Sequence, residues 1–251
     1  MTSSLSGRVA LVTGASRGLG KAMALALAEA GATVALVSRD ATKLDEVKRA
    51  IESAGGASHV FTADVGRESD VLALEAAVSS ALGRVQILIN NAGINIRKNL
   101  VDFSLEEWRS VMDTNLTSVF LMCSAFVPQM KGMGYGRILN MTSIMSHVSL
   151  PGRTAYSASK AGLLGLTRAL AQELAPEGIT VVAISPGPFA TDLNTALISD
   201  TDLNRQFLTK IPLGRWGRPE EIGKLARFLC SDDAGFITGT DILIDGGWCA
   251  Q

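Results

Sequence analysis

The stretch Thr13-Gly14-Ala15-Ser16-Arg17-Gly18-Leu19-Gly20 decides how the rest of the chain is read. It follows the short apolar run Val9–Thr13 and opens directly into the helical pattern Lys21–Ala30. Its glycines let the backbone turn sharply from strand to helix and let a ligand come against the main chain. The helix amino terminus then presents unpaired N–H groups and a partial positive charge, which suits a pyrophosphate. The spacing is G-x-x-x-G-x-G rather than the more familiar G-x-G-x-x-G. Three glycines near a strand end can also be a mere tight turn. Their position after the first strand of a strand–helix–strand unit is what points to a dinucleotide.

Outward from this turn, strand-like runs occur at Val9–Thr13, Thr33–Val37, His59–Thr62, Ile87–Asn90, Arg137–Met141, Thr180–Ile184 and Ile242–Ile244. Between the first six lie helical stretches beginning near Gly18, Asp40, Glu68, Leu105 and Tyr156. Several strands are continuous apolar runs, as expected when both faces of a sheet are covered. The alternation predicts an α/β fold: one doubly wound domain over residues 1–251, with a seven-stranded parallel sheet flanked by helices. The segment Pro186–Pro212 breaks the alternation after the sixth strand. An insertion leaving the carboxyl end of a strand reads as a substrate lid, over about residues 187–212.

Composition narrows the function. With 23 basic and 24 acidic residues the formal charge is −1, so no footprint for nucleic acid or an anionic membrane is expected. An apolar share of 47% excludes a disordered chain. Cys123, Cys230 and Cys249 are widely spaced, so neither a metal site nor a disulfide framework is predicted. Met1 to Ser6 lacks the pattern of a signal peptide, and runs such as Ile179–Ile184 are far too short to span a bilayer. A cytoplasmic protein is expected.

Cofactor choice is read at the tip of the second strand, Leu36-Val37-Ser38-Arg39-Asp40. A carboxylate there would bind the ribose hydroxyls of NAD, whereas arginine would pair with the 2′-phosphate of NADP. Ser38 is uncharged, Arg39 follows it, and Arg17 in the glycine turn can reach the same group. Asp40 is read as the cap of the following helix. NADP(H) is therefore preferred, with NAD(H) possible if Asp40 is instead the ribose acid.

Tyr156 and Lys160 stand four apart, on one face of a helix. Ser143 ends the fifth strand, thirteen positions before Tyr156; Asn115 lies in the long helical stretch Leu105–Gln129; and Asn90-Asn91-Ala92-Gly93 closes the fourth strand. These strand ends converge on the side where the glycine turn would hold its ligand.

On these motifs the chain resembles, end to end, the short-chain dehydrogenase/reductases of about 250 residues. The family's T-G-x-x-x-G-x-G is matched by Thr13 to Gly20, its N-N-A-G by Asn90 to Gly93, and its P-G-x-x-x-T by Pro186 to Thr191. The resemblance implies a Rossmann-like fold and catalytic roles for Asn115, Ser143, Tyr156 and Lys160. It implies cofactor contacts from Gly14, Ser16, Arg17, Gly18, Leu19, Gly20, Ser38, Arg39, Asp64, Val65, Asn91, Ala92, Gly93, Tyr156, Lys160, Pro186, Gly187, Phe189 and Thr191. It also implies a homotetramer, with contacts through the helices Leu105–Gln129 and Tyr156–Ala175 and through the last strand.

The reaction expected is hydride transfer between a nicotinamide and a carbonyl carbon, with Tyr156 moving the proton. Lowering a tyrosine from about 10 to near 7 requires roughly 4 kcal/mol, which one ammonium at about 4 Å supplies at an effective dielectric of about 20. Lys160 is expected to do this, Ser143 to orient the substrate oxygen, and Asn115, by the resemblance, to hold a water between Lys160 and solvent. Asn95, Arg97, Met145 and His147, with Phe189 of the lid, are candidate substrate contacts. Arg97 either pairs with an anionic substrate group or lies on an exposed loop; His147 is either a pocket wall or a participant. The chain is similar here to sugar-acid dehydrogenases of the gluconate 5-dehydrogenase kind. The alternative is a 3-oxoacyl-[acyl-carrier-protein] reductase, in which Lys131, Arg137, Arg153 and Arg168 would receive the acidic carrier. A remote alternative is a non-catalytic sensor of NADP(H), which the filled catalytic positions disfavour.

Overall fold

The computed structural model describes residues 4–250; Met1 to Ser3 of the polar amino terminus, and Gln251, lie outside the described residues. β1 (Val9–Thr13), β2 (Thr33–Ser38), β3 (Ala57–Thr62), β4 (Ile87–Asn90), β5 (Gly136–Met141), β6 (Ile179–Pro186) and β7 (Asp241–Ile244) form one sheet in the order β3-β2-β1-β4-β5-β6-β7. Every pairing is parallel. The order reverses between β1 and β4, and it is outside the carboxyl ends of the strands at such a reversal that open α/β sheets bind their ligands.

The helices are α1 (Gly18–Glu29), α2 (Ala41–Ser53), α3 (Glu68–Leu82), α4 (Leu105–Met112), α5 (Ser118–Met130), α6 (Thr154–Leu174), α7 (Thr195–Ser199), α8 (Thr201–Leu208) and α9 (Pro219–Leu229). Alternate strand residues serve opposite layers, which is why the strands read as unbroken apolar runs. Ala10, Val12, Ile87 and Ile89 pack with Met23 and Leu27 of α1, Val47 of α2 and Ile222 of α9. Leu11 and Leu88 pack on the other face with Leu74 of α3, Phe126 of α5 and Leu163 of α6. Asp40 caps α2 as expected, its carboxylate accepting the Lys43 amide at 3.1 Å.

Two expectations are corrected. The stretch Leu105–Gln129 is not one regular helix: a π turn, Asp113–Thr117, joins α4 to α5. Such a turn accommodates one extra residue and widens the helix locally. α6 runs close beside it, so that a Cβ on Gly162 would stand 3.0 Å from Leu116. By length and composition Leu105–Met130 could cross a membrane, but Val119, Met122, Cys123, Phe126 and Met130 are buried in the layer shared with α3 and α6.

Arg137 is not a surface base. It is only 4% exposed, its guanidinium lies 4.2 Å from the centre of the Tyr135 ring, and it donates to the Ser231 carbonyl at 3.2 Å. Near the amino end of β5, it is also at the opposite edge of the sheet from the crevice.

Candidate active site

The glycine turn is held by the loop after β4. The Asn91 side-chain amide donates to the carbonyls of Thr13 and Gly14, at 2.9 and 3.2 Å. The Thr13 hydroxyl accepts the amides of Asn91 and Ala92 at 2.9 and 3.1 Å. Any side chain would break this clasp: a Cβ on Gly20 would stand 2.2 Å from the Gly14 carbonyl oxygen, and Gly14 sits at φ +64° with a Cβ position 2.8 Å from the Asn91 amide. Asn91 and Ala92, expected to touch the cofactor, thus spend these groups bracing the turn.

The turn fits a diphosphate. Arg17 precedes α1 in an extended conformation with no side-chain cap, so no side chain covers the helix amides. Gly18, at φ +54°, leaves a cradle in which a Cβ would first meet Thr191 at 3.8 Å. Thr191, from beyond β6, thereby faces the turn completed by Ser16 and Leu19. At the tip of β2 the Ser38 hydroxyl accepts the Asp40 amide at 3.1 Å. With the Asp40 carboxylate occupied as a cap, the charge available there is Arg39, 71% exposed and 3.7 Å from the Asp64 carboxylate. Asp64 is held by Asp70, which accepts its amide at 3.0 Å and which local sequence did not single out. Val65 is buried in the core.

Tyr156, Lys160 and Ser143 come together at the carboxyl ends of β4 and β5. Lys160 is 4% exposed; its ammonium donates to the Met141 carbonyl at 2.6 Å and lies 5.9 Å from the centre of the Tyr156 ring. Burial lowers its pKa from 10.5 to about 8. Burial raises Tyr156, against a lowering by the Ser143 hydroxyl hydrogen bond and by the Arg153 charge. Lys160 thus spends one of its three donors on the Met141 carbonyl, and burial favours the protonated phenol.

Asn115 is fully buried in the π turn. Its side chain accepts the Ile94 amide at 2.8 Å and donates to the Ile94 carbonyl at 2.9 Å and to the Ser159 hydroxyl at 3.0 Å. It therefore anchors the loop after Gly93. A Cβ on Gly93 would stand 3.2 Å from the Asn115 oxygen and 3.5 Å from the Lys160 nitrogen.

The substrate candidates divide. Asn95 and Arg97 lie exposed on the loop that Asn115 anchors. Met145 donates its amide to the Ser143 hydroxyl at 3.1 Å. His147 is drawn aside: its Nε2 lies 2.5 Å from the Asp241 carboxylate, at the start of β7. The same Asp241 accepts from Ser185 at 2.8 Å and Thr142 at 3.2 Å, and Ser185 also donates to the Ser143 carbonyl at 3.1 Å. Phe189 is 4% exposed and packs on Gly217, where a Cβ would stand 2.7 Å from its ring, so it contributes no open side chain. Pro186 closes β6, and Gly187 is pressed to the Asp245 backbone, a Cβ there reaching 2.6 Å. The segment beyond folds into α7 and α8. Phe207 of α8 stacks on Trp216 at 4.9 Å and meets Trp248 at 5.1 Å, an aromatic clasp not foreseen from the sequence. Among the described residues no cluster of three or more His, Cys, Asp or Glu could hold a metal.

Residues 14–249 match the family model described as enoyl-(acyl carrier protein) reductase. The chain is 42% identical to the 3-oxoacyl-[acyl-carrier-protein] reductase of Synechocystis, over 97% of both chains. It is 45% identical to the acetoacetyl-CoA reductase of Rhizobium meliloti, over 96% of this chain and 98% of that one. It also superposes on a gluconate 5-dehydrogenase of Burkholderia cenocepacia in complex with NADP and tartrate. That match has a TM-score of 0.93 and 34% identity, and covers 99% of this chain and 97% of the other.

Proposed function

Because the chain belongs to the short-chain dehydrogenase/reductase family of oxidoreductases, we propose that it interconverts a secondary alcohol and a ketone with NADP(H). The favoured substrate is a small polar hydroxy or keto compound such as a sugar acid. The observation that carries the reaction is a phenol, Tyr156, whose ring lies 5.9 Å from the buried Lys160 ammonium and whose pKa the neighbouring Ser143 hydroxyl lowers. When bound, the dinucleotide supplies the hydride and, oxidised, a positive ring. Gly14 to Gly20 and Thr191 would hold its phosphates, Arg17 and Arg39 its 2′-phosphate, Asp64 and Val65 its adenine, and Lys160 its ribose. Tyr156, kept protonated by its surroundings, donates its proton to the carbonyl oxygen in reduction. Ser143 donates to the same oxygen and sets its direction. Tyr156→Phe removes the transferable proton while sparing the turn; turnover is expected to fall at least about 100-fold, with NADPH binding kept. Near-full activity in that variant overturns the reading.

A second reading, a 3-oxoacyl-[acyl-carrier-protein] reductase, is favoured by the names of the curated relatives. Against it, of the four bases that would receive a carrier, Arg137 is buried at the far edge of the sheet and Lys131 leads into that same edge. Turnover of 5-keto-gluconate beside an acetoacetyl thioester, with NADPH and with NADH, separates the two readings.

The same proposal includes a cytoplasmic homotetramer. Phe120 of α5 and Leu243 of β7, 58% and 43% exposed in the isolated chain, support subunit contacts on those two elements. Sedimentation at the 26.3 kDa of one chain would refute it.

A further inference from the structure

Beside Tyr156 the structure brings together two cations that are nearly sixty residues apart in sequence, with no anion to answer them. The loop after β4 meets the segment before α6 through their backbones: a Cβ on Gly152 would stand 3.7 Å from the Lys98 amide nitrogen and 3.8 Å from its carbonyl oxygen. Arg97 and Arg153 are the immediate chain neighbours of these two contact points. Arg153 directly precedes α6, three residues before Tyr156 and so on the same side of the first turn. Lys98, next door, is neutralised by Glu107. Among the described residues Arg97 and Arg153 have no carboxylate partner. Burial first, and then the charge of Arg97, hold Arg153 below the usual guanidinium range.

Two guanidiniums kept unpaired in this way cost stability unless an anion joins them. A carboxylate matches the planar fork of each and can accept from both. An anion held there would lie one helical turn from the phenol that moves the proton, a place that suits an acid group of the substrate. We propose that Arg97 and Arg153 form a two-guanidinium clamp for a substrate carboxylate, with Arg153 as the specificity-determining partner of Arg97. This rests on the reading of a small hydroxy or keto acid given above and assigns that acid group its contacts. The clamp acts in binding, so its loss is read as a KM difference between acid and neutral substrates, while any change at Tyr156 from losing the Arg153 charge is shared by both.

The test compares a six-carbon polyhydroxy keto acid with its primary amide, in the parent protein, Arg97→Gln, Arg153→Gln and Arg153→Lys. The ratio of the two kcat/KM values cancels any shared change at Tyr156. The parent is expected to prefer the acid roughly 10- to 100-fold, each glutamine variant to erase most of that preference through KM, and the lysine variant to restore part of it. Calorimetry with malonate, in the presence of NADP, gives a readout without turnover: binding is expected in the parent and lost in both glutamine variants. Malonate binding that needs both arginines, with no turnover of the keto acid, would keep the clamp and overturn the sugar-acid reading. An acid-to-amide ratio in Arg153→Gln equal to that of the parent, or malonate binding indifferent to Arg153, overturns the clamp while leaving the oxidoreductase reading intact.

Discussion

Replacing Lys160 by methionine should stabilise the folded chain at neutral pH while abolishing turnover. The side chain is 4% exposed, its ammonium has a hydrogen bond to the Met141 carbonyl, and burial takes its pKa from 10.5 down to about 8. At about 1.36 kcal/mol per pH unit, the gap between those values is a penalty of about 3 kcal/mol on folding. The sign follows from proton counting. Below about pH 8 the lysine is charged in both states and the whole penalty is present. Between about 8 and 10.5 the unfolded chain binds more protons than the folded one, so stability rises with pH and the penalty fades. Methionine removes the penalty and forfeits one hydrogen bond, worth about 1 kcal/mol. The variant should therefore be more stable than the parent by about 2 kcal/mol at pH 7, and less stable by about 1 kcal/mol near pH 10.5. Urea unfolding of both proteins across that range measures the difference. Taking the difference cancels the opposing trend from Cys123 and Cys230, whose thiols burial lifts to about 12 in both proteins. A stability difference that does not change with pH would refute the picture of a buried cation.

Gly20→Ala would force a Cβ to 2.2 Å from the Gly14 oxygen, so a loss of about 1–3 kcal/mol and of dinucleotide binding is expected by calorimetry; binding within twofold of the parent would contradict the clasp. Replacing both Arg17 and Arg39 by glutamine should lower kcat/KM for NADPH about 10- to 100-fold and leave NADH unchanged, whereas equal losses with both cofactors would point away from a 2′-phosphate contact. Asp241→Ala strips the common acceptor from His147, Ser185 and Thr142, and a loss of about 2–4 kcal/mol is expected in urea unfolding. A loss below about 1 kcal/mol would mean that the network carries little.

What the sequence made legible is what local pattern dictates. The inner strands were found because each sends neighbouring residues into two apolar layers and so reads as a nearly unbroken apolar run. Asp40 was readable as a cap because the group it serves, the Lys43 amide, lies three residues away. The π turn around Asn115 was not, because one inserted residue barely disturbs a helical pattern. Arg137 was misread because a basic residue is usually solvated, and nothing local announces the Tyr135 ring or the Ser231 carbonyl, 94 positions away. The contact of His147 was hidden for the same reason: its partner Asp241 is also 94 residues distant. Arg97 was singled out from its place after Asn90 to Gly93, but its pairing with Arg153 depends on two loops whose contact no local pattern encodes.

The aromatic clasp has an optical consequence. The chain has three tryptophans, and two of them, Trp216 and Trp248, lie against the one Phe207 ring on α8. The Trp216 indole N–H also donates to Asn204 on the same helix, at 2.8 Å. Any displacement of α8 changes the polarity around both indoles at once, while Trp108 on α4 stays apart as an internal standard. The protein thus carries its own emission gauge for the movement of this segment, readable in real time without a dye or a label.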